Sequence, residues 1–394
     1  MNEKRIPQRI LLGPGPSDCH PEVLKAMATP LVGHLDPVFL EQMNETMQRL
    51  RQVFQTRNPL TLAMSGTGSA GMETVFVNAL EPGDRVVIGI CGAFGERMVD
   101  VASRTGAEVI QVRAPWGKIV DPGQIQEALK SHPRVKAVAV VHAETSTGVL
   151  QPLEEIGRFA QNYGALFLVD AVTSLGGVPV PVEEAGIDAC YSGTQKCLSA
   201  PPGLSPATFS PRFEEALERR KRKVQSWYLD LTMVRQYWGM ERFYHHTAPI
   251  TMMYALHEAL GLLLEEGLDS VFRRHLVNGR ALQAGLEAMG LKLYADERHR
   301  LPQLTSVWIP DGVEDTLVRN RLLNEYGIEI GGGLGEVKGR VWRIGLLGHS
   351  SRRRNVLLLL GALEQILRSV GYSVESGIGC QAAEGVYRDF LAKE

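Results

Sequence analysis

Residues 166–197 read LFLVDAVTSLGGVPVPVEEAGIDACYSGTQKC, and the fold class can be inferred from this segment. It opens with a continuous apolar run at residues 166–169, which ends at Asp170. A second apolar run at residues 190–192 is followed by Lys196. Continuous apolar runs, unlike alternating ones, are typical of strands that are buried on both faces of a parallel sheet. The stretch therefore predicts two such strands, with an acid and a lysine near their carboxyl ends.

The same alternation of short apolar runs and longer amphipathic segments extends upstream. It predicts strands at residues 61–64, 85–90, 108–113 and 137–142, and helices at 71–80, 94–105, 122–131 and 153–163. Because strand–helix–strand repetition gives right-handed crossovers, the pattern predicts an α/β fold with a mostly parallel central sheet and helices on both faces. Ligands of such sheets bind in the loops that follow the carboxyl ends of the strands. We therefore expect Asp170 and Lys196 on the ligand-binding edge.

The pattern changes after about residue 250, where a second, smaller α+β unit is predicted. Its expected elements are helices at residues 250–266, 268–289 and 354–370, and strands at 303–309 and 340–344. The predicted organisation is an N-terminal arm at residues 1–20, a large α/β domain at 21–265 and a small domain at 266–394. Because the arm is polar and rich in Pro and Gly, we expect it to add no strand or helix to the core.

The composition excludes several classes of protein. The 394 residues include 42 Lys and Arg against 44 Asp and Glu, a net charge of −2, so no basic excess is present to hold a nucleic acid. No apolar stretch approaches the length of about 20 residues that a membrane-spanning helix needs. The N-terminus has no apolar core of signal-peptide length, which favours a cytoplasmic protein. The five cysteines lack CxxC spacing, so we interpret them as reduced thiols and predict no metal site.

Residues 65–71, SGTGSAG, form a candidate phosphate-binding loop. They follow an apolar strand and open a helix, where backbone N–H groups bind anions. Their glycines match the dinucleotide fingerprint GxGxxG, but an NAD(P) site also needs an acid at the end of the next strand, and residues 88–92, IGICG, contain none. The hydroxyls of Thr67 and Ser69 instead suggest a phosphate held by side chains as well as by the backbone. A plain glycine turn is the remaining alternative.

Asp170 and Lys196 acquire a chemical meaning together with this loop. Taken alone, Asp170 fits a helix cap and Lys196 fits a surface loop. A phosphate loop, then an acid at a strand end, then a lysine in a turn of small residues is the chain order of pyridoxal phosphate enzymes with an aspartate-aminotransferase-like fold. In that chemistry the lysine binds the cofactor aldehyde, the acid pairs with the pyridine nitrogen and the helix N-terminus binds the phosphate.

A resemblance to a known family covers nearly the whole chain, from about residue 10 to about residue 370. It is carried by the segments LLGPGPS, FQTRNPL, SGTGS, ETSTGVLQPL, LVDAVTSLGG, IDACYSGTQKCLSAPPG, YHHTAP and VWRIGLLGH. In these segments the chain resembles the alanine–glyoxylate and serine–glyoxylate (serine–pyruvate) aminotransferases of the class V pyridoxal phosphate family. The resemblance implies an aspartate-aminotransferase-like fold (PLP fold type I) and pyridoxal 5′-phosphate as the cofactor.

The same resemblance implies roles for individual residues. The catalytic pair is Lys196, which matches the lysine that binds the cofactor, and Asp170, which matches its pyridinium partner. The residues implied to contact the phosphate are Thr67, Gly68, Ser69 and Gln195, together with Tyr244 and Thr247 donated by a second subunit. Those implied around the ring and the substrate are Phe94 stacked on the ring, Val172 on its face, Thr145 near its hydroxyl and Arg343 on the substrate carboxylate.

Arg343 has an argument of its own, because it interrupts an apolar strand just after a glycine-rich stretch. A guanidinium fork binds a carboxylate at two points, although an internal salt bridge would explain the residue as well. Two departures from the family pattern bear on substrate preference. Some relatives have histidine at the position of Ser69 and tryptophan at that of Phe94, whose ring still offers an aromatic face.

The implied activity is a transamination in which alanine or serine gives its amino group to glyoxylate. The products are glycine and a 2-oxo acid, pyruvate or hydroxypyruvate. The resemblance also implies a homodimer with shared active sites, in which we expect the arm to lie over the partner. Two alternatives stay open: a ureidoglycine–glyoxylate aminotransferase of purine breakdown, and an NAD(P)-binding oxidoreductase.

Overall fold

Residues 6–392 are described in the computed structural model of the chain. Their strands form one large sheet and three small ones. The strands are β1 Ile10–Leu11, β2 Leu60–Ser65, β3 Arg85–Ile90, β4 Glu108–Arg113, β5 Val135–Val141, β6 Ala143–Glu144, β7 Val149–Leu150, β8 Leu166–Asp170, β9 Ala189–Tyr191, β10 Leu204–Phe209, β11 Leu304–Trp308, β12 Ile328–Glu329, β13 Gly331–Gly332 and β14 Val341–Gly345. Each strand predicted from the sequence is present, with bounds that agree or differ by one or two residues.

The large sheet has seven strands in the order β2-β10-β9-β8-β5-β3-β4. All neighbouring pairs are parallel except those of β10, which is antiparallel to both β2 and β9. The predicted mostly parallel sheet is therefore confirmed. The sequence pattern does not predict β10, because Pro206 in its middle lacks the N–H group that a central strand donates.

Helices connect these strands and supply the second layer of the fold. The α-helices are α1 Pro21–Ala26, α2 Pro37–Val53, α3 Gly68–Ala79, α4 Ala93–Arg104, α5 Pro122–Ser131, α6 Glu154–Asn162, α7 Pro211–Glu218, α8 Leu231–Trp238, α9 Ile250–Glu266, α10 Leu268–Ala288, α11 Asp315–Tyr326, α12 Arg353–Ser369 and α13 Ile378–Leu391. Several begin at a side-chain cap: Asp36, Asp121, Ser210 and Asp230 each accept a hydrogen bond from a first-turn N–H. Within residues 6–392, no helix is long and apolar enough to cross a lipid bilayer.

Two large hydrophobic cores lie in the described part of the chain. The first surrounds the seven-stranded sheet, and the second is built mainly from residues 281–387. Helix α10 links them, because its Val271 packs in the first core and its Ala281 in the second. The domain bounds of 21–265 and 266–394 stay a prediction.

The N-terminal arm corrects one expectation. Residues 1–5 lie outside the described residues. Ile10 and Leu11 form β1, which pairs in parallel with β12, and Leu12 is fully buried in the second core. The expectation that the arm adds no strand is therefore wrong, because pairing with β12 and the burial of Leu12 next to it stabilise a short strand despite the neighbouring prolines. The expected contact between the arm and a partner subunit stays a prediction.

Candidate active site

The carboxyl ends of β8 and β9 bring the candidate acid and lysine to one edge of the large sheet. Asp170 is the last residue of β8 and lies in register with Tyr191, the last residue of β9. Lys196 lies in the turn that follows β9. The Ser192 hydroxyl donates to the Ala171 carbonyl at 3.0 Å and so joins the two strand ends. The sheet thus fixes the backbone on which both side chains stand.

Asp170 is a buried carboxylate with a backbone partner. Its Oδ1 accepts a hydrogen bond from the Val172 N–H at 2.8 Å. Burial raises the pKa of Asp170 to about 6, and the hydrogen bond from Val172 opposes that rise. A buried carboxylate is stabilised by a cation beside it. Asp170 is therefore suited to pair with a protonated nitrogen at the sheet edge.

Lys196 is a buried amine whose partner is a carbonyl rather than an acid. Its Nζ donates to the Pro14 carbonyl of the arm. Burial and the nearby Arg343 guanidinium lower the pKa of Lys196 to about 8. Gly15 is required at this contact, since its φ is +122° and a Cβ atom there would lie 2.6 Å from Lys196 Nζ. An amine that loses its proton near pH 8 is available as a nucleophile and as a base.

The candidate phosphate loop stands at the start of α3. Gly68 is the first residue of this helix, and the side chain of Thr67, the residue before it, makes no capping hydrogen bond. Thr67 and Ser69 are exposed, so their hydroxyls are accessible to a ligand. The side-chain amide of Gln195 has an NH2 group that can donate to a phosphate, whereas its buried Oε1 atom only accepts and, within residues 6–392, has no hydrogen-bond partner. An open helix N-terminus, two hydroxyls and an amide fit the phosphate of pyridoxal phosphate.

Arg343 is buried in the small sheet that β14 forms with β11 and β13. Its Nε donates to the Gly332 carbonyl at 2.7 Å, and one Nη donates to the Thr145 carbonyl at 3.3 Å. Desolvation lowers its pKa to about 10. Among the described residues no carboxylate forms an ion pair with it, so the internal salt bridge considered from the sequence is not what holds Arg343. A guanidinium with only neutral partners is suited to bind a ligand carboxylate.

Phe94 and Glu144 extend the site on the side of α4. Phe94 is half-buried in the first turn of α4, and the guanidinium of Arg97 lies over its ring at 4.9 Å. Glu144 is fully buried and accepts hydrogen bonds from the N–H groups of Phe94 and Gly95. Sequence reasoning missed Glu144. Its only local signal is an acid three residues after the end of the apolar run that forms β5.

Tyr244 and Thr247 lie apart from these buried groups. Both are exposed, and the Tyr244 ring contacts that of His34 with centroids 5.2 Å apart. Between them, His246 Nε2 lies 2.6 Å from the hydroxyl of Ser65, the first residue of the phosphate loop. The segment that carries Tyr244 and Thr247 therefore contacts its own phosphate loop while presenting those two side chains outward.

Comparison with known proteins gives one consistent answer for this architecture. The family model described as Aminotransferase class-V matches residues 13–339. The alanine–glyoxylate aminotransferase of Mus musculus is 42% identical over 367 residues, which cover 92% of this chain and 88% of the mouse protein.

Two solved structures have nearly the same fold. The crystal structure of an alanine–glyoxylate aminotransferase from Nostoc sp. has a TM-score of 0.91 at 52% identity, covering 93% of this chain and 97% of that one. The crystal structure of the ureidoglycine–glyoxylate aminotransferase from Bacillus subtilis has a TM-score of 0.96 at 44% identity, covering 98% of this chain and all of that one (100%). The two differ in the amino donor that their names give and share glyoxylate.

Proposed function

This chain belongs to the class-V aminotransferase family, and from that premise we propose that it transfers the amino group of alanine or serine to glyoxylate. The products are glycine and pyruvate or hydroxypyruvate. Its cofactor is pyridoxal 5′-phosphate, as in the family. The observation that carries the proposal is the buried trio of Lys196, Asp170 and Arg343: a neutralisable amine, an acid and an arginine without an acidic partner. Membership of this family also argues against an NAD(P)-binding oxidoreductase.

The residues that would hold the cofactor surround the edge of the large sheet. Its phosphate would bind at the N-terminus of α3, with Thr67, Gly68, Ser69 and Gln195 as donors. The remaining contacts would come from Asp170 at the ring nitrogen, Thr145 near the ring hydroxyl, and Phe94 and Val172 on the ring faces. When bound, pyridoxal phosphate supplies an aldehyde that condenses with amines and a ring that delocalises negative charge.

Lys196 does the proton chemistry in this proposal. Its amine is the group that would hold the cofactor through the aldehyde. Once free, the amine would remove the proton from the α-carbon of the amino acid as a general base and, as a general acid, deliver it to the aldehyde carbon of the cofactor rather than back to the α-carbon. The pKa of about 8 favours this exchange, because the ammonium and amine forms are both accessible near neutral pH. Asp170 meanwhile keeps a proton on the ring nitrogen by electrostatic attraction.

Arg343 orients the substrate. The carboxylate of the amino acid would pair with its guanidinium, which gains the negative partner that its own chain does not supply. Glyoxylate, like the amino donor, carries a carboxylate, so one arginine serves both half-reactions in turn. Glyoxylate as the acceptor is supported by the relatives from Mus musculus, Nostoc sp. and Bacillus subtilis, whose names all include it.

We also propose a homodimer in which Tyr244 and Thr247 complete the phosphate site of the partner. Exposed apolar side chains in segments 31–38, 227–228 and 240–244, which are linked by ring contacts of Tyr244 with His34 and of Trp227 with His245, support a covered surface here, because apolar patches mark protein interfaces. The exposed apolar residues are Leu31, Leu35, Val38, Trp227, Tyr228, Met240, Phe243 and Tyr244. A cytoplasmic location is supported by the cysteines, all five of which are free thiols, as in a reducing compartment.

Ureidoglycine is the second candidate for the amino donor. The match to the Bacillus subtilis structure favours it, since that enzyme aligns over the whole of its length with a TM-score of 0.96. The two candidates share Lys196, Asp170 and Arg343, because all three donors carry an α-amino group next to a carboxylate. The donor is therefore decided by the rest of the substrate pocket.

A donor panel tests the proposal. The purified protein, loaded with pyridoxal phosphate, is given alanine, serine or ureidoglycine with glyoxylate, and glycine formation is followed. We expect alanine or serine to give the highest kcat/KM, with the parallel-line kinetics of a ping-pong reaction. A highest kcat/KM with ureidoglycine would reassign the donor. Absence of glycine with all three donors, together with transamination of another oxo acid such as pyruvate, would overturn glyoxylate as the acceptor.

A further inference from the structure

Glu144 is a fully buried carboxylate to which the reaction described above gives no task. Its Oε2 accepts hydrogen bonds from the N–H groups of Phe94 (3.1 Å) and Gly95 (3.4 Å). Its Oε1 accepts from the Ser146 N–H (3.1 Å) and the Ser146 hydroxyl (2.6 Å). Burial raises the pKa of Glu144, and these four hydrogen bonds oppose that rise. Because all four partners are donors, the contacts fit the ionised carboxylate, which only accepts.

Ser146 connects Glu144 to the same helix a second time. Its hydroxyl donates to Glu144 and accepts from the Ala93 N–H at 2.9 Å. The N–H groups of Ala93, Phe94 and Gly95 lie in the first turn of α4, where a helix offers them no partner of its own. The N-cap residue of α4 is a glycine without a side chain to bind them. The first turn of α4 is therefore held by two side chains from a segment about 50 residues away along the chain.

The glycine at that N-cap, Gly92, is what lets Glu144 approach. A Cβ atom on Gly92 would lie 2.4 Å from the Cγ of Glu144 and 2.4 Å from the Oγ of Ser146. Distances this short are far below van der Waals contact, so any larger residue would push both side chains away from the helix. The backbone of α4 and the segment 144–146 are thus packed against each other with no space between them.

Thr145, which lies between Glu144 and Ser146 in the sequence, contacts Arg343, the arginine proposed to bind the substrate carboxylate. The Thr145 carbonyl accepts a hydrogen bond from Arg343 at 3.3 Å. Burial lowers the pKa values of Arg343 and Lys196, and the negative charge of Glu144 opposes that lowering in both. Alternate residues of one short segment therefore contact α4 on one side and Arg343 on the other.

We propose that Glu144 is a positioning residue of this active site: it fixes the helix turn that presents Phe94 to the cofactor ring and, through residues 144–146, holds that turn in register with Arg343. This inference rests on the proposed function, because it gives Glu144 a task within that reaction. Glu144 acts through Phe94 and Arg343. Its negative charge also opposes, as the smallest of several influences, the lowering of the Lys196 pKa.

The test compares the wild type with Glu144→Gln, Ser146→Ala and a control, Asp121→Asn. Asp121 is an exposed carboxylate that caps α5 by accepting from the Gly123 N–H at 2.9 Å, so it matches Glu144 in chemistry and lies outside the site. Three properties are measured: the visible circular dichroism of bound pyridoxal phosphate, the pH midpoint at which apoprotein takes up the cofactor, and kcat and KM for the amino donor.

The expected results separate the charge of Glu144 from its hydrogen bonds. The charged and titratable groups that face it are Cys91, Asp170, Lys196 and Arg343. In the wild type we expect uptake to rise with pH around a midpoint near 8, because only the neutral Lys196 amine reacts. Glu144→Gln removes a negative charge that favours the ammonium form, so the midpoint falls below that of the wild type.

Glu144→Gln and Ser146→Ala share a second effect, since both loosen the first turn of α4. Each is expected to change the dichroism of the cofactor and to raise KM for the amino donor about tenfold, the scale of one buried hydrogen bond. Ser146→Ala keeps the charge and therefore leaves the pH midpoint in place. Asp121→Asn changes none of the three.

The proposal is overturned by a Glu144→Gln protein whose midpoint and dichroism equal those of the wild type, even if it melts at a lower temperature. If Glu144→Gln does not fold, a Ser146→Ala protein with unchanged dichroism and KM overturns it instead. If the wild type binds pyridoxal phosphate and forms glycine, either result rejects the positioning role of Glu144 and leaves the proposed function standing. A wild type that binds no cofactor rejects the proposed function.

Discussion

Two groups of residues assigned to the active site differ in what holds them in place. Asp170, Lys196 and Arg343 are each less than one-tenth exposed and are hydrogen-bonded to N–H or carbonyl groups of their own chain. Tyr244 is 62% exposed, and Thr247 is exposed beside it. The first group is complete within one chain. The second group has surface positions that only a ligand or a partner chain can cover.

This difference separates two physical tasks. Burial gives the first group its chemistry, because desolvation brings the pKa of Lys196 to about 8 and that of Asp170 to about 6. Exposure leaves the second group accessible to a ligand or to a neighbouring chain. In the proposed site, chemistry therefore depends on the first group, whereas retention of the cofactor depends on both. Substitutions in the two groups should accordingly have effects of different kinds and sizes.

The largest expected effect is that of Lys196→Ala, in the buried group. Removing the amine removes the nucleophile and the proton carrier together, so we expect kcat to fall at least about 10⁴-fold. Glycine formation and the visible absorbance of bound cofactor are the measurements. Lys130→Ala is the matched control, since Lys130 is an exposed helical lysine paired with Glu127 at 3.7 Å. Near-wild-type turnover in Lys196→Ala would refute the assignment of this residue.

The buried group is also the part of the site that the sequence predicts best. Asp170 ends a continuous apolar run, and Lys196 follows the next one, so local periodicity alone places both at the carboxyl edge of the sheet. The contacts that complete the group are not local. The Pro14 carbonyl that accepts from Lys196 is 182 residues away, and the helix turn capped by Glu144 is about 50 residues away. The sequence periods of strands and helices, 2 and 3.6 residues, indicate only local structure. They therefore do not predict contacts between residues so far apart in the chain.

The errors in the fold have the same origin. β10 contains Pro206, which argues against a central strand unless its neighbours β2 and β9 are already known. β1 is only two residues long, and its single neighbour, β12, lies more than 300 residues further along the chain. Both strands form because a distant segment pairs with them. The strands of the parallel sheet, in contrast, are recognisable from their own apolar runs.

An intermediate effect is expected for Phe243→Asp, in the exposed group. Phe243 is 59% exposed, so the substitution leaves the folded subunit nearly unchanged but places a charge in the proposed interface. We expect dimer affinity to fall about 100-fold or more and cofactor affinity to fall with it. Sedimentation at several concentrations and cofactor titration measure the two.

Leu317→Asp is the control for Phe243→Asp, because Leu317 is 40% exposed and lies on α11, outside the apolar patch. It should leave both the dimer and the cofactor affinity unchanged. A wild-type protein that is monomeric and fully active, or a Phe243→Asp protein that stays dimeric with wild-type cofactor affinity, would show that this surface is not the interface.

The smallest expected effect is that of Thr247→Val, which removes one hydroxyl and keeps the shape of the side chain. If that hydroxyl binds the cofactor phosphate, its loss weakens cofactor affinity about tenfold, the scale of one hydrogen bond to a charged group. Turnover at saturating cofactor should not change, because the buried group is intact. Equilibrium titration of the apoprotein with pyridoxal phosphate measures the affinity.

A mixed dimer then decides which subunit uses Thr247. When a Thr247→Val chain pairs with a Lys196→Ala chain, the only site with a lysine belongs to the Thr247→Val chain. If Thr247 is donated across the interface, that site receives the intact threonine of its partner and binds the cofactor with wild-type affinity, although each parent homodimer is defective. If Thr247 serves its own chain, the same site keeps the tenfold weaker affinity. This titration therefore shows whether Thr247 completes the cofactor site of its own chain or that of the partner chain.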